Sequence, residues 1–331
     1  MKKKQLLFKG YHFPMESYWD NNHNGGFTQL SLDLSSNCNY RCDWCFNKEL
    51  LNRDNSHLLN LTKKRSLLEE SIEFGAKTLV IPGTGEPTLD PDFYPLIEHA
   101  YDLDMISVVY SNLTGNLNKD RISQLHEQNV SIGIKLDSLK PEYFARRYHV
   151  SEKLFDKYMK NLNSIVSAYK DSKEHTSQGT VYRAIANMVL THENKEELPE
   201  ISGFCEKKDL PLFVRPVKPV TWAKNNPRTW REIGNKTGEY TPDKELVKLA
   251  HEYNTLFSPS STLKNHCAIY SFGLTIKNNG DIQICPDHHD SRGRFGNIAD
   301  VDMKEVMKQL NSSRIIKPGF CIMLPDIEHK F

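Results

Sequence analysis

The sequence predicts an α/β protein in which a partial (β/α)6 barrel is followed by a small C-terminal extension. Three observations lead to this fold class. The chain has 331 residues, which is more than one small core accommodates. Short apolar runs alternate with longer amphipathic stretches, as in parallel strands joined by crossover helices. Only six such units can be recognised, which is too few to close an eightfold barrel.

The predicted barrel extends from residue 29 to residue 216, after an N-terminal segment of residues 1–28 that is rich in aromatic residues and Asn. Its strands are runs rich in Val, Ile and Leu, at residues 30–34, 78–82, 106–110, 131–136, 181–190 and 212–214. Its helices have apolar residues at helical spacing, at residues 61–74, 91–101, 118–128, 152–169 and 194–208. Start signals such as Asn60-Leu-Thr62 support these boundaries.

The composition changes after residue 216. Residues 217–265 are rich in Pro, Trp, Asn, Lys and Gly, which is typical of a linker or a substrate-facing region. A smaller domain is predicted at residues 266–331. It contains two alternating runs at residues 272–284 around Asn278-Asn-Gly-Asp281, which is a hairpin signal, and an amphipathic helix at residues 302–310.

Charge and hydropathy exclude several classes of protein. The 43 basic residues balance the 42 acidic ones, so the net charge of +1 favours neither nucleic acid nor an anionic membrane as partner. The N-terminal residues lack the apolar stretch of a signal peptide, and no segment has the length and hydropathy of a membrane span. We therefore expect a cytoplasmic protein, in which the seven cysteines are reduced thiols or metal ligands rather than disulfides.

Three of these cysteines, Cys38, Cys42 and Cys45, follow the first predicted strand within a single short loop. Such a loop can direct three thiolates to one centre, and soft sulfur ligands select zinc or an iron-sulfur cluster over hard cations. A structural zinc site would need a fourth Cys or His close by, and this stretch of sequence offers none. The spacing therefore predicts a 4Fe-4S cluster with one iron open to a small molecule. A zinc site and three unrelated thiols are the alternatives.

This C-x3-C-x2-C spacing, with the aromatic residue Trp44 before the last cysteine, resembles the signature of radical S-adenosylmethionine (SAM) enzymes. The resemblance implies that Cys38, Cys42 and Cys45 hold a 4Fe-4S cluster whose unique iron chelates SAM. It also implies reductive cleavage of SAM to a 5'-deoxyadenosyl radical that abstracts a substrate hydrogen. An electron donor such as flavodoxin or ferredoxin is implied as a partner, and Trp44 is expected to shield the adenine.

A glycine-rich turn after the second predicted strand resembles the GGEP motif of the same family. The matching positions are Gly83, Thr84, Gly85 and Glu86, which the resemblance places around the SAM ammonium. Thr84 replaces the more usual glycine, a change that is tolerated if its φ is not positive. An ordinary strand-to-helix turn would also explain the glycines, although not the glutamate between them and Pro87.

Polar residues end the next two predicted strands. Ser111 and Asn112 lie where members of the family often carry Thr-Asn-Gly or a variant, so the resemblance implies that they contact SAM. A turn-forming role is the alternative explanation of Asn112. Lys135, Asp137 and Ser138 lie where the family places side chains on the ribose hydroxyls of SAM. Asp137 or Ser138 is equally well explained as a cap of the helix that follows.

Three distant cysteines, Cys267, Cys285 and Cys321, resemble the SPASM/twitch extension, which holds auxiliary 4Fe-4S clusters. The hairpin between Cys267 and Cys285, with Gly280 in its turn, would bring these two thiols together. The resemblance implies one auxiliary cluster of the twitch type; a zinc knuckle or buried thiols are the alternatives. Cys205 is predicted to be a core thiol. The fourth ligand of the auxiliary cluster stays open. It is the substrate, or one of the side chains of Asp287, His288, His289 and His266, or the fourth position has no ligand.

An auxiliary cluster would accept one electron from the substrate radical, which makes the net reaction a two-electron oxidation of the substrate; epimerisation, elimination or decarboxylation are other outcomes. Residues 1–28 are too few for a domain that grips a leader peptide, which favours a small molecule such as a sugar or an aminocyclitol. Peptide modification, by thioether formation or epimerisation, is the alternative. The catalytic residues, the hydrogen donor and the oligomeric state are not evident from the sequence.

Overall fold

The computed structural model describes residues 5–11, 25–45, 47–48, 51, 59–177, 179–219, 225–239, 241, 243–255, 273–283 and 294–313. The strands in these ranges are β1 (Gln5–Phe8), β2 (Gln29–Leu32), β3 (Thr78–Ile81), β4 (Ile106–Ser111), β5 (Val130–Lys135), β6 (Glu174–His175), β7 (Gly179–Tyr182), β8 (Ala184–Leu190), β9 (Leu212–Pro216), β10 (Gly273–Ile276), β11 (Asp281–Gln283) and β12 (Arg294–Asn297). The helices are α1 (Leu61–Glu73), α2 (Phe93–Asp102), α3 (Lys119–Glu127), α4 (Pro141–Tyr148), α5 (Lys153–Tyr169), α6 (Leu198–Lys207), α7 (Pro227–Ile233), α8 (Lys244–Tyr253) and α9 (Met303–Ser313). Their alternation confirms the predicted α/β class.

The larger sheet forms the wall of the barrel. Its strand order is β12-β11-β10-β2-β3-β4-β5-β8-β9, and all neighbours from β10 to β9 are parallel. The six predicted barrel strands are β2, β3, β4, β5, β8 and β9. Within the described ranges the edge strands β12 and β9 do not pair with each other, so this part of the chain forms an open, partial barrel.

The predicted strand at residues 181–190 is wrong in one respect, because the chain changes sheets at Arg183. Residues before Arg183 form β7, which joins β1 and β6 in a separate sheet, and residues after it form β8 of the barrel. The Arg183 guanidinium donates from Nη2 to the carbonyl oxygens of His126 and Val130, at 2.6 and 3.1 Å, and fixes the chain at this change. An uninterrupted apolar run does not reveal a change of partner strand.

The predicted C-terminal hairpin is confirmed as β10 and β11, which pair antiparallel. Gly280 has a φ of +87° in the turn, a conformation that glycine adopts without strain. β10 also pairs in parallel with β2, so that Leu274 lies beside Leu30 and the hairpin extends the barrel sheet. The predicted helix after the hairpin is α9.

The two faces of the barrel sheet bury different side chains. The outer face packs against the helices in the main hydrophobic core, whereas Val80, Val108 and Ile185 form a second cluster on the inner face. Phe8 of β1 fills this inner cluster, and the carbonyl oxygen of Gly10 accepts a 2.9 Å hydrogen bond from Thr78 Oγ1. The N-terminal strand thus occupies the amino end of the barrel, which leaves the carboxyl ends of the strands for a site.

None of the helices in the described ranges combines the length and the apolar character that a transmembrane segment needs.

His126, at the end of α3, makes the stability of the fold depend on pH. Its Nε2 lies 2.6 Å from Ser172 Oγ, and its ring packs edge-on against Tyr169. Burial lowers the pKa of His126 below its usual 6.5; the charge of Arg183 lowers it further, and Glu127 opposes both. The neutral ring therefore stabilises the fold above pH 6.5, and this contribution is lost as the pH falls below that value.

We expect His126→Gln to reduce this pH dependence. Urea unfolding of both proteins at several pH values between about 5 and 8 measures it, and the stability advantage of the wild type should shrink toward the acid end. A difference between the two proteins that stays constant across this range would contradict the prediction.

Candidate active site

The candidate site lies at the carboxyl ends of four neighbouring strands. The cysteine loop follows β2, the glycine-rich turn follows β3, Ser111 and Asn112 end β4, and Lys135 ends β5. Because β2, β3, β4 and β5 are consecutive and parallel in the sheet, these segments meet at one edge of the barrel. The structure thus brings together the four segments that the sequence singled out.

The cysteine loop places Cys38, Cys42 and Cys45 close enough to influence one another electrostatically. Cys45 N donates to Cys42 O at 3.1 Å, and Tyr40 N donates to Cys38 Sγ at 3.4 Å. Burial raises the pKa of the Cys38 thiol to about 11 and raises those of Cys42 and Cys45 as well, while the ammonium of Lys135 opposes the rise at the latter two. A bound metal centre would overcome these shifts, because thiolates rather than thiols are its ligands.

The donor set of this loop fits an iron-sulfur cluster. Its three half-buried thiols are soft ligands, and a 4Fe-4S cluster takes each thiolate on a separate iron. Among the described residues, no three His, Cys, Asp or Glu side chains converge on a single metal ion.

The glycine-rich turn packs directly against the cysteine loop. Glu86 N donates to Asn37 O at 2.7 Å, and Asn47 Nδ2 donates to Thr84 O at 2.7 Å. A Cβ on Gly85 would lie 2.3 Å from Asn37 O, so only glycine permits this approach. Gly83 has a φ of +81°, whereas Thr84 is not among the residues with positive φ, which meets the condition for a threonine in this motif.

Glu86 is the centre of this arrangement, with 1% of its surface exposed. Its Oε1 accepts hydrogen bonds from Thr88 Oγ1 at 2.6 Å, Ser111 Oγ at 2.8 Å and Thr88 N at 3.3 Å. Its Oε2 accepts one bond from the described residues, donated by Asn112 N at 2.7 Å. Burial raises the pKa of Glu86 although these donors oppose the rise. No Lys or Arg in the described ranges forms an ion pair with it, so the carboxylate can receive an external cation.

Asn112 connects the end of β4 to the cysteine loop. Its Nδ2 donates to Asn39 Oδ1 at 2.9 Å and lies 4.0 Å from Cys38 Sγ. Its Oδ1 accepts from both N and Oγ1 of Thr114, at 2.9 Å each. The turn that was one explanation of this asparagine is therefore present, and the same side chain also touches the first cysteine.

Lys135 and Trp44 lie on the other side of the cysteine loop. Lys135 Nζ is 2.5 Å from Asp137 Oδ2 and 5.1 Å from the ring centres of both Trp44 and Tyr148. Asp137 also accepts from Tyr148 Oη at 2.7 Å and from Val189 N at 2.6 Å. Trp44 is buried, and its Nε1 has no hydrogen-bond partner in the described part of the chain. These residues form one packed cluster, and the Lys135 ammonium in it is close enough to Cys42 and Cys45 to influence them.

Ser138 has two partners within the protein. Its Oγ donates to Glu197 Oε2 at 2.6 Å and accepts from Lys140 N at 3.0 Å, just before α4 begins at Pro141. The N-cap residue of α4 is Lys140, without a side-chain cap hydrogen bond, so the alternative in which Asp137 or Ser138 caps this helix is wrong. Contacts of Lys135, Asp137 and Ser138 with a ribose stay predictions.

Sequence reasoning missed Tyr148. The Tyr148 ring stacks on Tyr40 of the cysteine loop with 4.7 Å between ring centres, and its carbonyl oxygen accepts from Arg41 N at 2.9 Å. The end of α4 therefore holds the loop in place. No local signal in the sequence distinguishes this tyrosine from a core residue.

The predicted auxiliary ligands Cys267, Cys285 and Cys321 lie outside the described residues, and their grouping stays a prediction. Cys205 is buried on α6, as predicted for a core thiol.

Comparisons with known proteins identify the family of this chain. The family model described as the Radical SAM superfamily matches residues 32–205. The GTP 3',8-cyclase of Helicobacter pylori is 24% identical over 308 residues, which cover 87% of this chain and 89% of that protein. The GTP 3',8-cyclase of Shewanella denitrificans is 27% identical over 191 residues, 57% of this chain and 52% of that protein. The chain thus spans about half the length of some of the curated relatives that it matches.

Solved structures share the fold. Streptococcus suis SuiB bound to its precursor peptide SuiA has a TM-score of 0.64 at 17% identity, over 88% of this chain and 67% of that one. The enzyme anSMEcpe with bound AdoMet has a TM-score of 0.55 at 16% identity, over 87% of this chain and 83% of that one. At these identities the similarity is one of fold.

Proposed function

Since the chain belongs to the radical SAM superfamily and is an enzyme of that class, we propose that its cysteine loop holds the 4Fe-4S cluster and its glycine-rich turn binds SAM. The observation that carries this proposal is the position of Glu86. Its buried carboxylate accepts hydrogen bonds from Thr88 and from the end of β4, its backbone N–H donates to the cysteine loop, and the carboxylate has no cationic partner in the described residues.

Each segment has a distinct role in the proposed site. Cys38, Cys42 and Cys45 ligate the cluster. Glu86 accepts the ammonium of SAM at Oε2, the oxygen that has a single hydrogen-bond donor in the described part of the chain. The Ser111 hydroxyl fixes the orientation of this carboxylate. Gly83, Thr84 and Gly85 present backbone carbonyls to the same ammonium.

Other residues shape the rest of the SAM site. Asn112 holds the cysteine loop against β4, and Trp44 shields the adenine. We assign Lys135, Asp137 and Ser138 to the ribose of SAM, whose hydroxyls would replace their present contacts with each other and with Glu197. When bound, the cluster and SAM would supply the radical that removes a hydrogen atom from the substrate, and Cys267, Cys285 and Cys321 would hold an auxiliary cluster able to take up the second electron of an oxidation.

We further propose that the substrate is a small molecule. The relatives named GTP 3',8-cyclase support this class, because their names specify a small molecule, and one of them aligns over 87% of this chain. A flavodoxin or a ferredoxin is the proposed electron donor.

Iron and sulfide analysis with electron paramagnetic resonance tests the cluster assignments. Anaerobically reconstituted wild type is compared with a Cys38/Cys42/Cys45→Ala triple variant, with and without SAM. We expect about eight irons to fall to about four, and a signal perturbed by SAM in the wild type alone, because each thiolate set holds one 4Fe-4S unit. Cys205→Ala is the matched control and should keep all the iron, since Cys205 is buried on α6.

Two results would contradict parts of the proposal. About four irons in the wild type and none in the triple variant would remove the auxiliary cluster and, with it, the oxidation. Zinc in place of iron would overturn the cluster assignment itself.

A further inference from the structure

Five polar side chains line the inner face of the barrel where the C-terminal hairpin joins β2. These residues, which we name the polar strip, are Ser31, Asp33, Thr275, Lys277 and Gln283. Each is buried, with an exposed fraction between 0% for Thr275 and 6% for Lys277 and Gln283. The strip requires an explanation because burying polar groups is costly unless they find partners.

The pairing register shows that the strip faces the barrel interior. Ser31 pairs with Thr275 on one side and with Val80 on the other, and Thr275 pairs with Gln283. Laterally paired residues share a face of a sheet, and Val80 belongs to the inner hydrophobic cluster. Asp33 follows Ser31 by two residues and therefore points to the same side, as Lys277 does after Thr275.

Several atoms of the strip lack partners in the described part of the chain. They are Ser31 Oγ, Thr275 Oγ1, Gln283 Oε1 and Asp33 Oδ1, for which no hydrogen bond is found. The other carboxylate oxygen of Asp33, Oδ2, lies 3.2 Å from Lys277 Nζ. The outer face of the same strands is apolar and fully packed, with Leu30, Leu274 and Ile282 completely buried. Polar residues thus occur on the face that packing alone would fill with apolar ones.

The unpartnered atoms define which ligand would satisfy them. Asp33 Oδ1 and Gln283 Oε1 only accept hydrogen bonds, while the Ser31 and Thr275 hydroxyls both donate and accept. The charge of Lys277 is already balanced by Asp33, so the strip contributes no uncompensated cation to a phosphate. Its complement is a molecule rich in hydrogen-bond donors and without a large negative charge.

The polar strip lies next to the loop that is proposed to hold the cluster. Asp33 directly follows β2 on the way to the cysteine loop, and Lys277 directly follows β10, with its Nζ 3.2 Å from Asp33 Oδ2. Ser31 and Thr275 lie deeper by about 7 Å, the rise of two strand residues. A small molecule bound against the strip would therefore lie next to the cysteine loop.

We infer that the polar strip binds the substrate, and that the substrate is an amino-substituted polyol, the chemical class of amino sugars and aminocyclitols. This inference rests on the proposed function and specifies the substrate class of that site. The C-terminal hairpin supplies three of the five binding residues and so determines specificity.

Two variants remove hydrogen-bonding atoms while keeping side-chain shape. Thr275→Val and Gln283→Met delete the unpartnered oxygens, and Ser107→Ala is the matched control. Ser107 is buried and its Oγ is also without a partner in the described residues, but it pairs with Leu79 on the outer face. Glucosamine, streptamine, GTP and an unstructured peptide are the probes, tested by calorimetry on the reconstituted enzyme with SAM.

We expect glucosamine or streptamine to bind the wild type, and each strip variant to bind it at least tenfold more weakly, while Ser107→Ala binds as the wild type does. The melting temperature of substrate-free Thr275→Val should equal or exceed that of the wild type, because the variant loses only an unsatisfied hydroxyl. A purely structural hydroxyl would lower it instead.

Three results would overturn the inference: binding of GTP or the peptide but of neither amino polyol, binding that the strip variants leave unchanged, or a lowered melting temperature of Thr275→Val. Measuring 5'-deoxyadenosine formed by the reduced enzyme distinguishes a failure of the substrate inference from a failure of the proposed function. If all variants still cleave SAM, the radical mechanism stands whatever the strip binds. If the wild type does not cleave SAM, the proposed function itself is refuted.

Discussion

Glu86→Ala is expected to abolish SAM binding and to lower the free energy of unfolding by about 3 kcal/mol, since it leaves several buried donors unpaired. The backbone N–H of Asn112 and the hydroxyls of Ser111 and Thr88 all donate to this carboxylate. Calorimetric titration with SAM and urea unfolding of the metal-free protein measure the two effects separately.

Glu86→Gln separates charge from packing. Glutamine keeps the side-chain volume, so we expect a smaller loss of stability than for alanine. Its amide nitrogen faces a hydrogen-bond donor and the negative charge is gone, so SAM affinity should still fall by more than tenfold. The control is Glu98→Ala on the exposed face of α2, which should change neither quantity appreciably. SAM affinity of Glu86→Gln equal to that of the wild type would refute an ammonium contact at this carboxylate.

The second large effect is expected for Gly85→Ala. The added Cβ would meet backbone atoms of the cysteine loop, 2.3 Å from Asn37 O and 2.9 Å from Ser35 O, and neither atom belongs to a side chain that can rotate away. The loop and the turn must therefore separate, at a cost of about 2 kcal/mol. Iron content after reconstitution and SAM affinity should both fall, because the cysteine loop and Glu86 no longer hold their relative positions.

Gly203→Ala is the matched control for this substitution. Gly203 lies within α6, and no atom comes within 4 Å of an added Cβ. Alanine there should raise the free energy of unfolding by about 0.5–1 kcal/mol and leave iron content unchanged. Gly85→Ala with normal iron content and SAM affinity would show that the loop and the turn act independently.

The barrel strands and the cysteine loop were predictable because their signals are local. β-branched apolar runs define β3, β4 and β5 to within a residue or two, and the spacing of Cys38, Cys42 and Cys45 is a property of eight consecutive residues. The contact between Glu86 and Asn112 follows from the predicted fold, since parallel neighbouring strands bring their carboxyl ends together.

Features that depend on distant partners were not predictable. The stacking of Tyr148 on Tyr40 joins the end of α4 to the cysteine loop, and no periodicity encodes it. The small sheet that splits residues 181–190 depends on β1 near the N-terminus. The parallel pairing of β10 with β2 likewise joins segments from opposite ends of the chain, so a hairpin predicted as part of a separate domain extends the barrel sheet.

The pairing of β2 with β10 also affects how the protein is made. β2 leaves the ribosome early, whereas Leu274, the neighbour of Leu30, is synthesised only after most of the chain. Until then one edge of β2 exposes unpaired backbone groups, a feature that favours association with other chains. Contacts between such distant segments also slow folding. Translation that stops before residue 273 therefore yields a chain with an open edge on the strand that leads into Cys38, and such fragments should aggregate during expression.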